Sequence, residues 1–205
     1  MNTKLNKSKG FTLVELAIAL LIIGILLSSL LAPLSTQVQL ERTKSTKETL
    51  EKPKQALMGF AISNNGRIPC ADTNGDGVEN SPCTSTEGEL PYATLGLGQK
   101  DAWSHHLRYR FDASVVVTTV STSTLSNLCI VDSTGADLTD TGINSPVLAV
   151  IFSTGSDGVA NGDNNNGDTV YVDGEYVVNV RDDVLVWLSK NTFYNRLAEA
   201  GKPVP

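Results

Sequence analysis

The chain has 205 residues, 40% hydrophobic, 19% charged and 6% aromatic, which is long enough for one ordinary domain and too apolar for disorder throughout. A mean hydropathy of -0.05 excludes a multi-helix membrane protein, and a formal net charge of -6 opposes a nucleic-acid binder that works through a broad basic face. The charge is uneven: residues 1–55 carry 8 Lys/Arg against 4 Asp/Glu, a net +4, and residues 56–205 carry 8 against 18, a net -10.

From Phe11 to Leu34 the chain reads FTLVELAIALLIIGILLSSLLAPL, 24 residues whose only charge is Glu15. About 20 apolar helical residues span a bilayer core. A buried core helix would show a polar stripe, and this run is apolar on all sides, so a single membrane helix is expected. No comparable run follows, which places the rest of the chain on one side. Lys4, Lys7 and Lys9 precede the run and keep the N-terminus cytoplasmic by the positive-inside tendency. An ordinary secretory signal ends in small residues beyond its apolar run; here the run passes into a polar helical pattern. Glu15 is costly in such a helix and calls for a partner.

Lys9-Gly10-Phe11-Thr12-Leu13-Val14-Glu15 resembles the type III signal of type IV prepilins and pseudopilins. The resemblance implies that a membrane aspartyl peptidase, the prepilin peptidase, cuts after Gly10 and methylates the new N-terminus at Phe11. Residues 1–10 are then a leader peptide and 11–34 a transmembrane and filament-core helix. It also implies that Glu15 pairs with the free amine at Phe11 of a neighbouring subunit and so sets register in assembly. Pro33 stands one residue later than the family's usual proline; a bend near Ala32 is expected all the same. Loss of Lys4, Lys7 and Lys9 with the leader leaves the mature side chains at -9.

Residues 35–66 read as an amphipathic helical arm. Leu50, Leu57 and Ala61 recur at helical spacing, the charges between Glu41 and Lys54 form a solvated face, Pro53 is expected to interrupt or kink the helix, and Asn64-Asn65-Gly66 ends it. Residues 67–188 read as a β-rich body with long loops. Leu107, Tyr109 and Phe111 alternate with Arg108, Arg110 and Asp112, and β-branched runs follow at Val115–Val117, Leu128–Val131, Val147–Phe152, Val170–Val172 and Tyr176–Val180. Residues 189–205 hold a short helix from about Lys190 to Ala200, with Ser189 as N-cap and Gly201 and Pro203 as the stop. The fold class is therefore α+β: a long N-terminal helix, half membrane and half amphipathic, packed on a small antiparallel β-sheet.

Two stretches of the body extend the resemblance, toward the major pseudopilins of type II secretion. Asp101-Ala102-Trp103 with Leu107-Arg108-Tyr109 is similar to their Asp-Pro-Trp-Gly…Tyr segment, with Ala102 in place of proline and Ser104 in place of glycine. Phe152–Gly158, then Asp182-Asp183-Val184 and Trp187, is similar to their C-terminal region, with a longer loop at 158–181.

Two acidic loops are candidate calcium sites. Asp72, Asn74 and Asp76 alternate as in the first half of an EF-hand loop, but the twelfth position is Cys83 and no incoming helix is evident, so a calcium loop of another type or a polar turn is expected in place of a true EF-hand. The second loop contains Asp157, Asp163 and Asp168, with Asp173, Asp182 and Asp183 beyond. Clustered carboxylates repel, and a divalent cation with 6–8 oxygen ligands relieves that repulsion. The resemblance implies structural calcium in this region and carries over directly to Asp157. Three cysteines, Cys70, Cys83 and Cys129, allow three single bridges; Cys70–Cys83 is the most local and is favoured, closing a loop around Asp72–Asp76.

Nothing resembles catalytic machinery. His105 and His106 are the chain's 2 histidines, and adjacent strand residues point to opposite faces, which makes a shared metal site awkward. No G-x-S-x-G motif is present. The resemblance implies a structural subunit, pilin or pseudopilin, of a type IV pilus or type II secretion-like filament, anchored in the inner membrane with its body in the periplasm or on the filament. Its partners are the prepilin peptidase and other pilin subunits, and no nucleic acid is expected. The alternatives are a filament-tip adhesin or DNA-uptake minor pilin that binds through its long loops, and a membrane-tethered periplasmic enzyme or binding protein.

Overall fold

The computed structural model describes residues 10–112, 128–139, 147–165, 167–177 and 180–202, apart from the side chains of 29–34 and 163. The expected strand at Val115–Val117 lies outside the described residues. The chain forms two compact units, Met1–Glu41 and Arg42–Pro205, and helix α1 (Leu13–Ser63) contributes to both. Thr12 caps its start. The helical assignment continues through Pro33 and Pro53, so Pro53 does not interrupt the arm. At the other end Asn65 (φ 54°) and Gly66 (φ 84°) turn left-handed, and the Gly66 amide donates to the Ala61 carbonyl at 2.8 Å. That bond satisfies a terminal carbonyl of the helix.

In the second unit a four-stranded antiparallel sheet has the order β1-β2-β4-β6, built from β1 (Glu87–Glu89), β2 (Arg108–Phe111), β4 (Val147–Ser153) and β6 (Val184–Ser189). A parallel pair, β3 (Cys129–Val131) and β5 (Val170–Val172), forms a second small sheet. A single helical turn, α2 (Tyr92–Leu95), lies between β1 and β2, and α3 (Lys190–Glu199) follows β6 directly. Ser189 is the N-cap of α3, its hydroxyl accepting from the Thr192 amide at 3.2 Å.

Both faces of the large sheet are covered. On one, Leu50, Leu57 and Ala61 of α1 and Phe193 and Leu197 of α3 pack against Tyr109, Phe111, Ile151 and Val186. On the other, Val150, Phe152 and Leu185 meet Ile130 and Tyr171 of the β3–β5 pair. Every residue of β4 is buried as a result, which is why its sequence is a continuous apolar run instead of an alternating one. In β2 the alternation is real: Tyr109 and Phe111 enter the core, and Arg108 and Arg110 turn away to pair with Glu87 of β1 at 3.2 and 2.7 Å.

The expected strand at Tyr176–Val180 lies partly outside the described residues. Val177 exchanges backbone hydrogen bonds with Arg181 at 2.7 and 2.8 Å, an isolated antiparallel bridge.

Candidate functional site

At the N-terminus, Thr12 and Glu15 form a capping box. The Glu15 amide donates to Thr12 Oγ1 at 3.2 Å, and the Thr12 amide and hydroxyl both donate to Glu15 Oε2, at 3.1 and 3.0 Å. Glu15 Oε1 receives neither bond. The T-x-x-E spacing was legible in the sequence, although its capping role was missed. Around this cap the side chains of Phe11, Leu13, Val14, Leu16, Ile18 and Leu20 are all exposed, so the described residues of the first unit present apolar surface. Gly10 has open space where a Cβ would stand.

Cys70 and Cys83 are joined by a disulfide, with Cα atoms 5.3 Å apart. Cys129 remains a thiol and is half-buried. Within the bridged loop, Asp72 is fully buried and its carboxylate is engaged by the loop's own amides. Oδ1 accepts from Asn74 and Gly75 at 3.0 and 2.8 Å, and Oδ2 from Gly77 at 2.6 Å. The Asn74 side chain donates to Asp76 Oδ2 at 3.0 Å, and Asp76 Oδ1 accepts from the Val78 amide at 2.8 Å. The three side chains of this candidate calcium loop are thus turned onto their own backbone, as in polar turns rich in Asp and Asn. Glu79 locks the base of the loop: its two oxygens take the Arg67 guanidinium at 2.6 and 2.8 Å, and Oε2 also accepts from the Cys70 amide at 3.0 Å. The Arg67 hydrogen bonds hold the Glu79 carboxyl below its ordinary value.

In the second acidic loop the centre lies at Asp182 and Asp183, just before β6. Asp182 Oδ2 gathers the Ser156 amide and hydroxyl, both at 2.6 Å, and the Asp157 amide at 3.1 Å. Asp183 Oδ2 gathers the Asn161 amide at 2.8 Å and the Asn164 side-chain amide at 2.9 Å. The other oxygen of each, Oδ1, is buried and has no hydrogen-bond partner among the described residues. Burial first, then the nearby charges of Asp182 and Asp157, push the Asp183 carboxyl up to about 6 against the opposing hydrogen bonds. Gly155 (φ 60°) is required here, because a Cβ would strike the Asp182 backbone.

The remaining candidates lie around this centre or outside what is described. Asp157 accepts from the Val159 amide at 2.8 Å and from the Asn161 side chain at 3.4 Å. Asp168 accepts from the Val170 amide at 2.7 Å, and the Asp163 side chain lies outside the described residues. Among the described residues no group of three or more His, Cys, Asp or Glu side chains is arranged to hold a metal. Calcium also takes backbone carbonyls and waters, and two orphaned carboxylate oxygens fit the start of such a site. The Asp-Asp pair was visible in the sequence, but its burial was not.

Residues 5–31 match the prokaryotic N-terminal methylation motif. The chain carries a type IV pilin-like prepilin signal. No curated protein and no solved structure matches the chain. The prepilin signal ends inside α1, and Gly10, Phe11, Thr12 and Glu15 all fall within the matched residues. The signal indicates processing by a peptidase and joins a helix-plus-antiparallel-sheet architecture of pilin-like kind. Among the described residues no helix is long and apolar enough to cross a membrane; side chains 29–34, which complete the apolar run from Phe11, lie outside the description.

Proposed function

We propose that this chain is a structural subunit of a type IV pilus or type II secretion-like filament, held in the inner membrane as a precursor and released into the filament after cleavage behind Gly10. The observation that carries this reading is the prepilin signal merging into a single helix whose apolar side chains stay uncovered within the chain. Such surface is unfavourable in water, and both a bilayer core and the helical centre of a filament would cover it. Glu15 then pairs with the Phe11 amine of a neighbouring subunit. Its Oε1, which takes no bond from Thr12, is the oxygen left for that pairing. The subunit acts by packing, with no turnover of a substrate.

The body of this subunit holds a structural calcium ion at Asp182 and Asp183, with Asp157 alongside. Two buried carboxylates with orphaned oxygens are costly without a cation or proton, and calcium would supply the missing charge.

Mass spectrometry of the exported protein tests the processing. A chain that begins at N-methylated Phe11 is expected; an intact Met1, or cleavage beyond the apolar run, overturns the subunit reading.

A further inference from the structure

A cleft of about 540 Å³ opens beside β1 and β2 in the second unit, and both histidines of the chain line it together with Glu89 and Gly158. Alternation along a strand would separate adjacent side chains. That expectation fails here because His105 follows a turn. Ser104 takes a left-handed φ of 72°, and Asp101 Oδ1 holds the turn by accepting from the amides of Trp103 and His105 at 2.9 and 2.8 Å. Both imidazoles line this cleft.

Each ring is oriented through Nδ1. His105 Nδ1 is 2.8 Å from the Gly155 carbonyl oxygen, and His106 Nδ1 is 2.6 Å from Glu89 Oε2. Both partners are acceptors, so each Nδ1 donates, and a ring that carries only that proton has its lone pair on Nε2. Tyr92 packs edge-on against His106, with ring centroids 6.3 Å apart. Gly158 lies over the face of His105: a Cβ there would be 3.0 Å from Cε1 and Nε2 and 3.4 Å from Cδ2. Near-equal distances to three ring atoms mean that Gly158 approaches the ring by its face and not along the Nε2 lone pair. No described hydrogen bond reaches either Nε2.

Imidazole with its Nδ1–H held by a carboxylate or a backbone carbonyl is the arrangement of metal-bound histidines, whose partners set the ring and raise its basicity. We propose that this cleft binds a divalent transition-metal ion of the zinc, copper(II) and nickel class through Nε2 of His105 and His106. Glu89 and the Gly155 carbonyl orient the ligands, and water completes the coordination. Nitrogen donors separate this site from the oxygen-lined one at Asp182 and Asp183, since imidazole suits these ions and hard oxygen suits calcium.

The chain's 2 histidines make the test clean, provided that the protein carries no affinity tag. Full-length protein in detergent micelles receives one equivalent of copper(II), and its electron paramagnetic resonance spectrum is recorded. The expected result is nitrogen hyperfine coupling from two imidazoles, with zinc competing for the same site. His105→Gln and His106→Gln should each weaken binding at least tenfold, and Glu89→Gln by about 10-fold or more, while Asp183→Asn leaves it unchanged. A wild-type spectrum without imidazole nitrogen overturns the proposal whatever the variants do. So does an unaltered two-nitrogen spectrum in either histidine variant. Neither result bears on processing at Gly10, which is read separately.

Discussion

Ser153 Oγ donates a 2.5 Å hydrogen bond to Asp101 Oδ2, joining the end of β4 to a turn 52 residues earlier in the chain. Both residues are buried. The other oxygen of Asp101 holds the Trp103 and His105 amides, and Ser153 Oγ accepts in turn from the Gly155 amide at 3.1 Å. Ala102, beside it, donates from its amide to Thr46 Oγ1 of α1 at 3.4 Å. One carboxylate thus ties together the turn that presents both histidines and the loop that leads to Asp157.

Replacing Asp101 by Ala should therefore destabilise the body strongly, by about 3 kcal/mol, because two amides and a hydroxyl lose a charged acceptor in the interior. Ser153→Ala should cost about 1.5 kcal/mol. Urea unfolding of the single and double variants checks the linkage: the double variant should lose less than the two singles added together, since they share one network.

Glu15 has two separable roles. Glu15→Gln keeps an oxygen for the Thr12 amide and removes the charge, whereas Glu15→Ala removes both and loosens the helix start. Both variants should still be cleaved after Gly10. Both should also enter filaments poorly, because the amine at Phe11 has lost its counter-charge. Normal incorporation of Glu15→Gln into sheared filaments would show that charge does not set register.

Asp183 predicts a dependence on pH and calcium. Its folded value near 6 stands above the ordinary 3.8, so the stability linked to its proton is complete below pH 3.8 and is lost as pH rises through 6. In chelator, the unfolding midpoint should fall across that window. Asp183→Asn should flatten the fall and stabilise the protein at pH 7 by about 1 kcal/mol after allowance for solvent screening. Added calcium should restore the midpoint of the wild type and leave that of Asp183→Asn nearly unmoved. Indifference of the wild type to chelator and calcium would dispose of the calcium site.

The Cys70–Cys83 bridge closes a loop with a sequence separation of 13. In the chain-entropy description such a closure is worth on the order of 3 kcal/mol. Cys70→Ser with Cys83→Ser should lower stability by about that amount. It should not abolish the Asp72 turn, because the amides of Asn74, Gly75 and Gly77 and the Arg67–Glu79 pair hold it independently. Amide hydrogen exchange at Gly77 reads the second half of this expectation.

The sequence by itself determined the features that depend on neighbours along the chain. The prepilin signal lies within a few residues of Gly10, the arm's apolar positions Leu50, Leu57 and Ala61 follow from helical period, and Ser189 caps α3 through its own next turn. β2 was legible for the same reason, since alternation is a local property. Tertiary structure alone decided what depends on contacts between distant segments. The second layer, β3 with β5, buries the outer face of β4 and so made a two-sided core where one buried face was expected. Asp182 and Asp183 became buried carboxylates only because Ser156, Asp157, Asn161 and Asn164 converge on their Oδ2 atoms from a distant segment, which leaves each Oδ1 without a partner among the described residues. His105 and His106 share a cleft because Asp101, itself fixed by Ser153, imposes a left-handed turn at Ser104 that no alternation rule contains. Burial and convergence are set by which surfaces meet, and a linear pattern carries that information only where the meeting partners are near one another in the chain.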